Sequence, residues 1–334
     1  NGDAASAGFE FDSLAVLYPR SDDALAARYW GGRAWLAAGD TSGANTRWSE
    51  VARRDPRSYY AALSARRLGQ APWAPAAAVD SFQVYPGLDS AMARAALLER
   101  VGLDREAEWE YAQIVRDAGD SVERLLATAD AFRAHGRASQ AITLARRALA
   151  HGAPADARVY RLIYPATHAD ALVADATERG LDPAFVAALV RQESMFNPDA
   201  RSGAGARGLM QLMPKVGHGL AKSLDFPFWD PVLLYQPDVN LQLGTLHLSE
   251  LARRYDAPVH ILAAYNAGAS RVDRWREKVG VDDPELFAER IPYTETRDYV
   301  RIIQRNEDFY RALYHWDGEM VAASGESAGT AGGR

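Results

Sequence analysis

There is no cysteine anywhere in the chain, so it forms no disulfide and no thiolate metal site, whichever compartment it occupies. The seven histidines are scattered and include no H-E-x-x-H pair, so a catalytic zinc is not expected. No apolar run approaches the roughly 20 residues a membrane-spanning helix needs. Asn1 is preceded by no Met and followed by no charged-then-apolar leader, which sets the expectation that any export signal is absent from this chain. Basic charge is not in excess: the formal net charge is -6 with 25% charged residues, which argues against a broad nucleic-acid footprint. Stretches resembling strands are sparse throughout.

What is present is helical pattern, and the fold class expected is all-α. Residues 22–69 read as helical hairpin units, DDALAARYWGGRAWLAAG, ANTRWSEVARRD and SYYAALSARRLG, each broken at Gly, Asp or Pro. The run APWAPAAAVDSFQVYPGL, residues 71–88, carries Pro72, Pro75 and Pro86 and reads as a connector. Beyond it Gly102–Ala107 and Gly136–Ala141 recur 34 residues apart, each as the turn of a helix pair, the period of stacked helix-turn-helix repeats. From about residue 156 the pattern is less repetitive and richer in single Gly, Pro and aromatic positions, as in a compact domain with shaped loops, and the chemistry is expected there. The expected divisions are 1–75, an N-terminal helical hairpin segment; 76–155, a repeat-like helical linker; 156–316, a catalytic domain; and 317–334, a small, polar, Gly-rich tail expected to be disordered.

The stretch RQESMFNPDARSGAGARGLMQLMP, residues 191–214, offers two readings. GAGARG fits the G-x-G-x-x-G of a dinucleotide turn, but that turn needs a strand running in and a helix opening directly out. Upstream stands a helix start instead, Asp182 as N-cap and Pro183 at the first helical position, with Asn197-Pro198 expected to end the helix. Glu193 lies four residues after Leu189 and eight after Phe185, on the same stripe as those apolar side chains. A carboxyl facing the interior there is desolvated and its pKa raised, as a general acid requires. The other reading is a Glu at a helix end, exposed or paired with Arg191 or Arg201.

Three ordered motifs add to this: RQES-x-F-x-P-x-A-x-S-x-x-GA-x-GLMQLMP, AYNAG at 264–268 and IPYTETRDYV at 291–300. Together they resemble the catalytic domain of the bacterial soluble lytic transglycosylases of the goose-lysozyme-like type. The hairpins with YW, GRA, SYYAAL and RRLG resemble the helical arm of those proteins, although the arm is short beside the longest members. The resemblance implies a superhelical array of helical hairpins followed by a lysozyme-like, mostly helical catalytic domain. It implies a glycine-rich loop, with Gly203, Gly205 and Gly208, beside the sugar site. Ser202 matches the family's serine in that loop, within reach of the acid or the sugar, or is an ordinary turn serine. Gln211 is implied to contact a sugar amide or hydroxyl and Met213 to line the groove, while Met210 and Leu212 read as core. Tyr265 either donates its hydroxyl near the reacting sugar or is a core aromatic with a satisfied hydroxyl. Asn266 and Gly268 either belong to the site or end a helix. Glu295, in the first turn of a helix after Pro292, either benefits from the helix dipole or lies in the groove orienting polar groups, together with Tyr299.

The activity implied is cleavage of the bond between N-acetylmuramic acid and N-acetylglucosamine in peptidoglycan, with Glu193 as both acid and base and no cofactor. Two alternatives remain: a hydrolytic muramidase with Glu295 as second carboxylate, and a non-catalytic helical-repeat adaptor. The partners implied are peptidoglycan glycan strands and, through the helical arm, other cell-wall enzymes; the location implied is the periplasm or cell envelope.

Overall fold

A computed structural model describes residues 3–21, 23–279 and 283–316 of the protein. The tail expected to be disordered, residues 317–334, lies outside the described residues. Among those described, 17 α-helices and one 3-10 turn account for the regular structure, and only isolated bridges take the place of a sheet. The fold is all-α. The chain divides into two compact units, at Ala74 and Pro75 in sequence.

The first unit holds α1 (Ala4–Leu17), α2 (Ala24–Ala37), α3 (Thr41–Arg54) and α4 (Tyr59–Arg67), each packed on its neighbour in sequence. Its core is aromatic, with Tyr29, Trp48, Tyr59 and Tyr60 around Val51 and Leu63. Gly32 on α2 is a site of close approach: a Cβ there would meet the Trp48 indole, whose Nε1 donates to the Tyr29 carbonyl at 3.2 Å.

The second unit opens with two helix pairs, α5 (Pro86–Arg100) with α6 (Asp104–Ala118), and α7 (Val122–Ala134) with α8 (Ala138–Ala150), followed by α9 (Ala157–Ile163). The turns spaced 34 residues apart share one geometry. Gly102 and Gly136 both take positive φ, and the next residue's N–H closes the helix end, Leu103 to the Leu98 carbonyl and Arg137 to the Phe132 carbonyl, both at 2.9 Å. Ala107 and Ala141 then sit fully buried where the paired helices approach. The connector is shorter than the sequence pattern implies. Pro86 opens α5 instead of excluding it, because proline's fixed φ and missing N–H cost nothing at the first helical position.

The remaining helices are α10 (Ala169–Glu178), α11 (Pro183–Ser194), α12 (Pro214–Ser223), α13 (Pro237–Arg254), α14 (Pro258–Ala267), α15 (Ala269–Val279), α16 (Pro284–Arg290) and α17 (Thr294–Leu313). Five of them, α11, α12, α13, α14 and α16, begin at proline, which makes their starts legible in sequence. α11 is buried from Ala184 through Arg191 and packs along α17, with α14 also against α17. It ends three residues before Asn197-Pro198 would have required. Met195 and Phe196 both adopt left-handed φ, and Phe196 is turned into the interior against Tyr310, which offsets the roughly 1–2 kcal/mol that a left-handed residue costs.

The glycine-rich segment forms a compact turn held by its own backbone and by side chains that include the buried Asn240. Ser202 and Ala206, and Arg207 and Leu212, pair across it. Asn240 of α13, fully buried, accepts from Met210 N at 2.7 Å and donates to the carbonyls of Leu234 and Arg207 at 2.7 and 3.0 Å. Of the three glycines, Gly205 and Gly208 have positive φ, and Gly208 lies so close to the Leu234 carbonyl and the Asn240 amide that no Cβ fits. Gly203 meets neither condition, so neither backbone conformation nor close approach requires a glycine there. Gly208→Ala is therefore expected to lower the unfolding free energy by more than about 2 kcal/mol, strain and clash together, and Gly203→Ala to change it by less than about 0.5 kcal/mol. Urea unfolding of both variants beside the wild type reads the difference; equal costs would contradict the assignment.

Candidate active site

α11 carries Phe185, Leu189 and Glu193 on one stripe, and its end is fixed from several directions. Arg191 is buried, donating from Nε to the Ile163 carbonyl at 2.8 Å with its guanidinium over the Tyr164 ring. The Ser194 hydroxyl lies between the carbonyls of Val190 and Leu209, at 3.2 and 2.8 Å, joining the helix end to the glycine loop. Neither Arg191 nor the exposed Arg201 pairs with Glu193, and no other cation does so among the described residues.

Glu193 opens into a cleft of about 380 Å³ between α11, α14 and α17, lined also by Gln192, Asn266, Glu295, Asp298, Tyr299 and Ile302. As a residue it is half-buried, but its carboxyl group is closely surrounded by protein. That burial pushes its pKa up to about 7; the Tyr299 hydroxyl, donating to Oε1 at 2.6 Å, works the other way, and the charge of Glu295 adds to the rise. Tyr299 and Tyr265 are themselves raised well above the ordinary tyrosine range, first by burial and then by the Glu193 charge, so both keep their protons.

The structure brings Glu193, Asn266, Glu295 and Tyr299 together in this cleft; Ser202, Gln211, Met213 and Tyr265 do not line it. The Ser202 hydroxyl accepts from Ala206 N at 3.0 Å, as a turn serine does, with no bond to the acid. Gln211, itself at positive φ, gives its amide hydrogens to the carbonyls of Ala200 and Gly208 at 3.0 and 2.9 Å and so closes the glycine loop. Met213 is exposed as the residue preceding α12, and Met210 and Leu212 are buried. Tyr265 spends its proton on the Met210 carbonyl at 2.8 Å and packs beside Leu212 and Leu234, so it takes the core reading with a satisfied hydroxyl. Asn266 lies within α14 and does not end it; Gly268, at positive φ, does. Glu295 is exposed in the first turn of α17 and contributes charge without a hydrogen bond among the described residues.

Sequence reasoning missed Gln192, Thr296, Asp298 and Ile302. Three of the four were within reach of a periodicity argument: Glu295, Asp298, Tyr299 and Ile302 follow the i, i+3, i+4, i+7 pattern of one helix face, and Gln192 adjoins the acid. Thr296 carries no such signal, because its hydroxyl matters only through Asn266, 30 residues away, to which it donates at 2.7 Å.

Residues 171–287 match the transglycosylase SLT domain family, a span that includes Glu193, Tyr265 and Asn266 and stops short of Glu295 and Tyr299. The chain is 30% identical over 280 residues to the soluble lytic murein transglycosylase of Salmonella typhimurium, covering 81% of this chain and 41% of the relative. It is 38% identical over 147 residues to a putative soluble lytic murein transglycosylase of Haemophilus influenzae, covering 42% of this chain and 24% of the relative. Among solved structures, it is similar to an inactive mutant of the lytic transglycosylase Slt from Pseudomonas aeruginosa, with a TM-score of 0.71 and 27% identity, over 89% of this chain and 48% of that one. It is also similar to the 70-kDa soluble lytic transglycosylase in complex with bulgecin A, with a TM-score of 0.77 and 25% identity, over 93% and 49%. The chain spans less than half the length of these relatives. Residues 171–287 of the chain are thus a transglycosylase SLT domain, and the likeness to soluble lytic murein transglycosylases extends over most of the chain.

Proposed function

We propose that this protein is a peptidoglycan lytic transglycosylase, with its chemistry housed in residues 156–316. The observation that carries the reading is a single carboxyl, Glu193, made a proton donor near neutral pH by burial, unpaired with any cation among the described residues, and open to a cleft large enough for sugar rings. Tyr299 occupies Oε1, which leaves Oε2 as the oxygen that carries the acid proton. Protonated Glu193 gives that proton to the glycosidic oxygen between N-acetylmuramic acid and N-acetylglucosamine, and the bond from C1 to that oxygen breaks. The resulting carboxylate takes the proton of the muramyl C6 hydroxyl as that oxygen attacks C1. A 1,6-anhydro ring closes, Glu193 regains its proton, and no water is consumed.

The names of the relatives, soluble lytic murein transglycosylases among them, support the reaction class. On this reading Asn266 and Glu295 meet the substrate, Tyr299 holds the acid, and Ser202, Gln211, Met213 and Tyr265 build or flank the loop beside it. Peptidoglycan as substrate places the protein in the periplasm or cell envelope, and no helix among the described residues is long and apolar enough to cross a membrane. The helical pairs offer surface for other cell-wall enzymes.

Glu193→Gln keeps the side-chain size and removes both proton transfers, so it is expected to lower turnover of purified peptidoglycan by at least ~100-fold with the fold intact by circular dichroism. Turnover near the wild-type level would remove Glu193 from its role.

A hydrolytic muramidase is the second reading, favoured by one observation: Glu295 and Asp298 line the same cleft and offer a second carboxylate to activate water. Digestion in oxygen-18 water separates the two. The transglycosylase reading expects unlabelled, non-reducing muramyl ends, one water lighter than the hydrolytic product; labelled reducing ends would establish hydrolysis.

A further inference from the structure

Asn266 is the one carboxamide besides Gln192 that lines the cleft, and its orientation is set from outside the cleft. Thr296, in the first turn of α17 and almost wholly buried, donates its hydroxyl to Asn266 Oδ1 at 2.7 Å. As the third residue of its helix, Thr296 has no helical carbonyl four residues back, the usual acceptor for a threonine hydroxyl within a helix. The carbonyl three residues back, of Tyr293, already takes the Arg297 N–H at 2.9 Å. The Thr296 proton therefore belongs to Asn266.

An asparagine amide has an acceptor end and a donor end of nearly equal size, and an exposed one turns to suit its ligand. Here the acceptor end is occupied. Asn266 is otherwise exposed, so what it presents outward is the Nδ2 group, a donor with no acceptor among the described residues. Of the other polar groups lining the cleft, Glu295 and Asp298 are acceptors, Gln192 is a second carboxamide, and Glu193 has one oxygen occupied by Tyr299 and the other assigned to its acid proton.

We propose that Thr296 is a specificity-positioning residue, which locks Asn266 as a hydrogen-bond donor to a carbonyl oxygen of the substrate, the acetamido group of an amino sugar. This rests on the reading that the cleft takes peptidoglycan glycan. A group without a carbonyl, such as a free amine at the same carbon, offers Asn266 no acceptor and would place a second donor against it. The site then discriminates because Asn266, held by Thr296, cannot turn its acceptor end toward such a group, and a fixed polar group rejects an analogue more strongly than a mobile one.

The test measures KM and kcat on soluble glycan strands, fully N-acetylated and chemically de-N-acetylated, for the wild type, Thr296→Val, Thr296→Ser, Asn266→Ala and the double variant Thr296→Val with Asn266→Ala. Wild-type cleavage of the acetylated strands establishes the underlying reading; its absence would overturn that reading and this proposal together. Given that activity, Thr296→Val is expected to raise KM about 5- to 10-fold on acetylated strands, with kcat and the pH profile little changed because Glu193 and Tyr299 are untouched. Thr296→Ser is expected to restore the wild-type value, and Thr296→Val to add nothing in the Asn266→Ala background. On de-N-acetylated strands the penalty of Thr296→Val is expected to vanish. An equal penalty on both substrates, an additive double variant, or a Thr296→Ser variant as impaired as Thr296→Val would overturn the proposal, and thermal melting of each variant distinguishes these from loss of fold.

Discussion

The desolvation of one carboxyl group governs the arrangement around it. A helix that buries every residue from Ala184 to Arg191 delivers Glu193 to the rim of a cleft with its carboxyl still among protein atoms, and the ionised form is disfavoured there. The fold manages that penalty without cancelling it. An arginine two residues away would have restored an ordinary carboxylate, but Arg191 is turned to the Ile163 carbonyl and the Tyr164 ring. Among the described residues the direct stabiliser of the charged form is the neutral hydroxyl of Tyr299, weaker than a cation, and Glu295 on the same helix opposes it. An acid poised between donating and regaining a proton follows from that balance.

The cost appears as linkage. A carboxyl whose pKa is raised on folding stabilises the folded state only while it is protonated, so this contribution is fully present below about 4.5, the unfolded value, and is lost as pH rises toward about 7. Neighbouring structure absorbs it. Phe196, Tyr310, Tyr164 and Phe309 pack the back of α11 and α17, and Asn240 satisfies two backbone groups of the glycine loop and the Leu234 carbonyl with one side chain.

What the sequence made legible follows from local rules. Proline at the first helical position and Asp182 as N-cap placed the start of α11, and a stripe of period 3.6 pointed Glu193 inward, because those signals act within one or two turns. The end of α11 was misplaced because Phe196, buried against Tyr310 more than 100 residues away in sequence, ends the helix before the proline does. Gln211 and Tyr265 look like ligands by residue type, yet their hydrogen bonds close on Ala200, Gly208 and Met210, partners fixed only by the folded loop. Thr296 was invisible for the same reason.

The proposed chemistry depends on Glu193 being protonated near neutral pH. Carbon-13 NMR of protein labelled at the glutamate side-chain carboxyls, with the Glu193 resonance assigned by its absence in Glu193→Gln, follows this one group through its titration. The account predicts a midpoint near 7. A midpoint near the ordinary value of 4.5 would contradict it, for Glu193 would then be a carboxylate throughout the neutral range and have no proton to give.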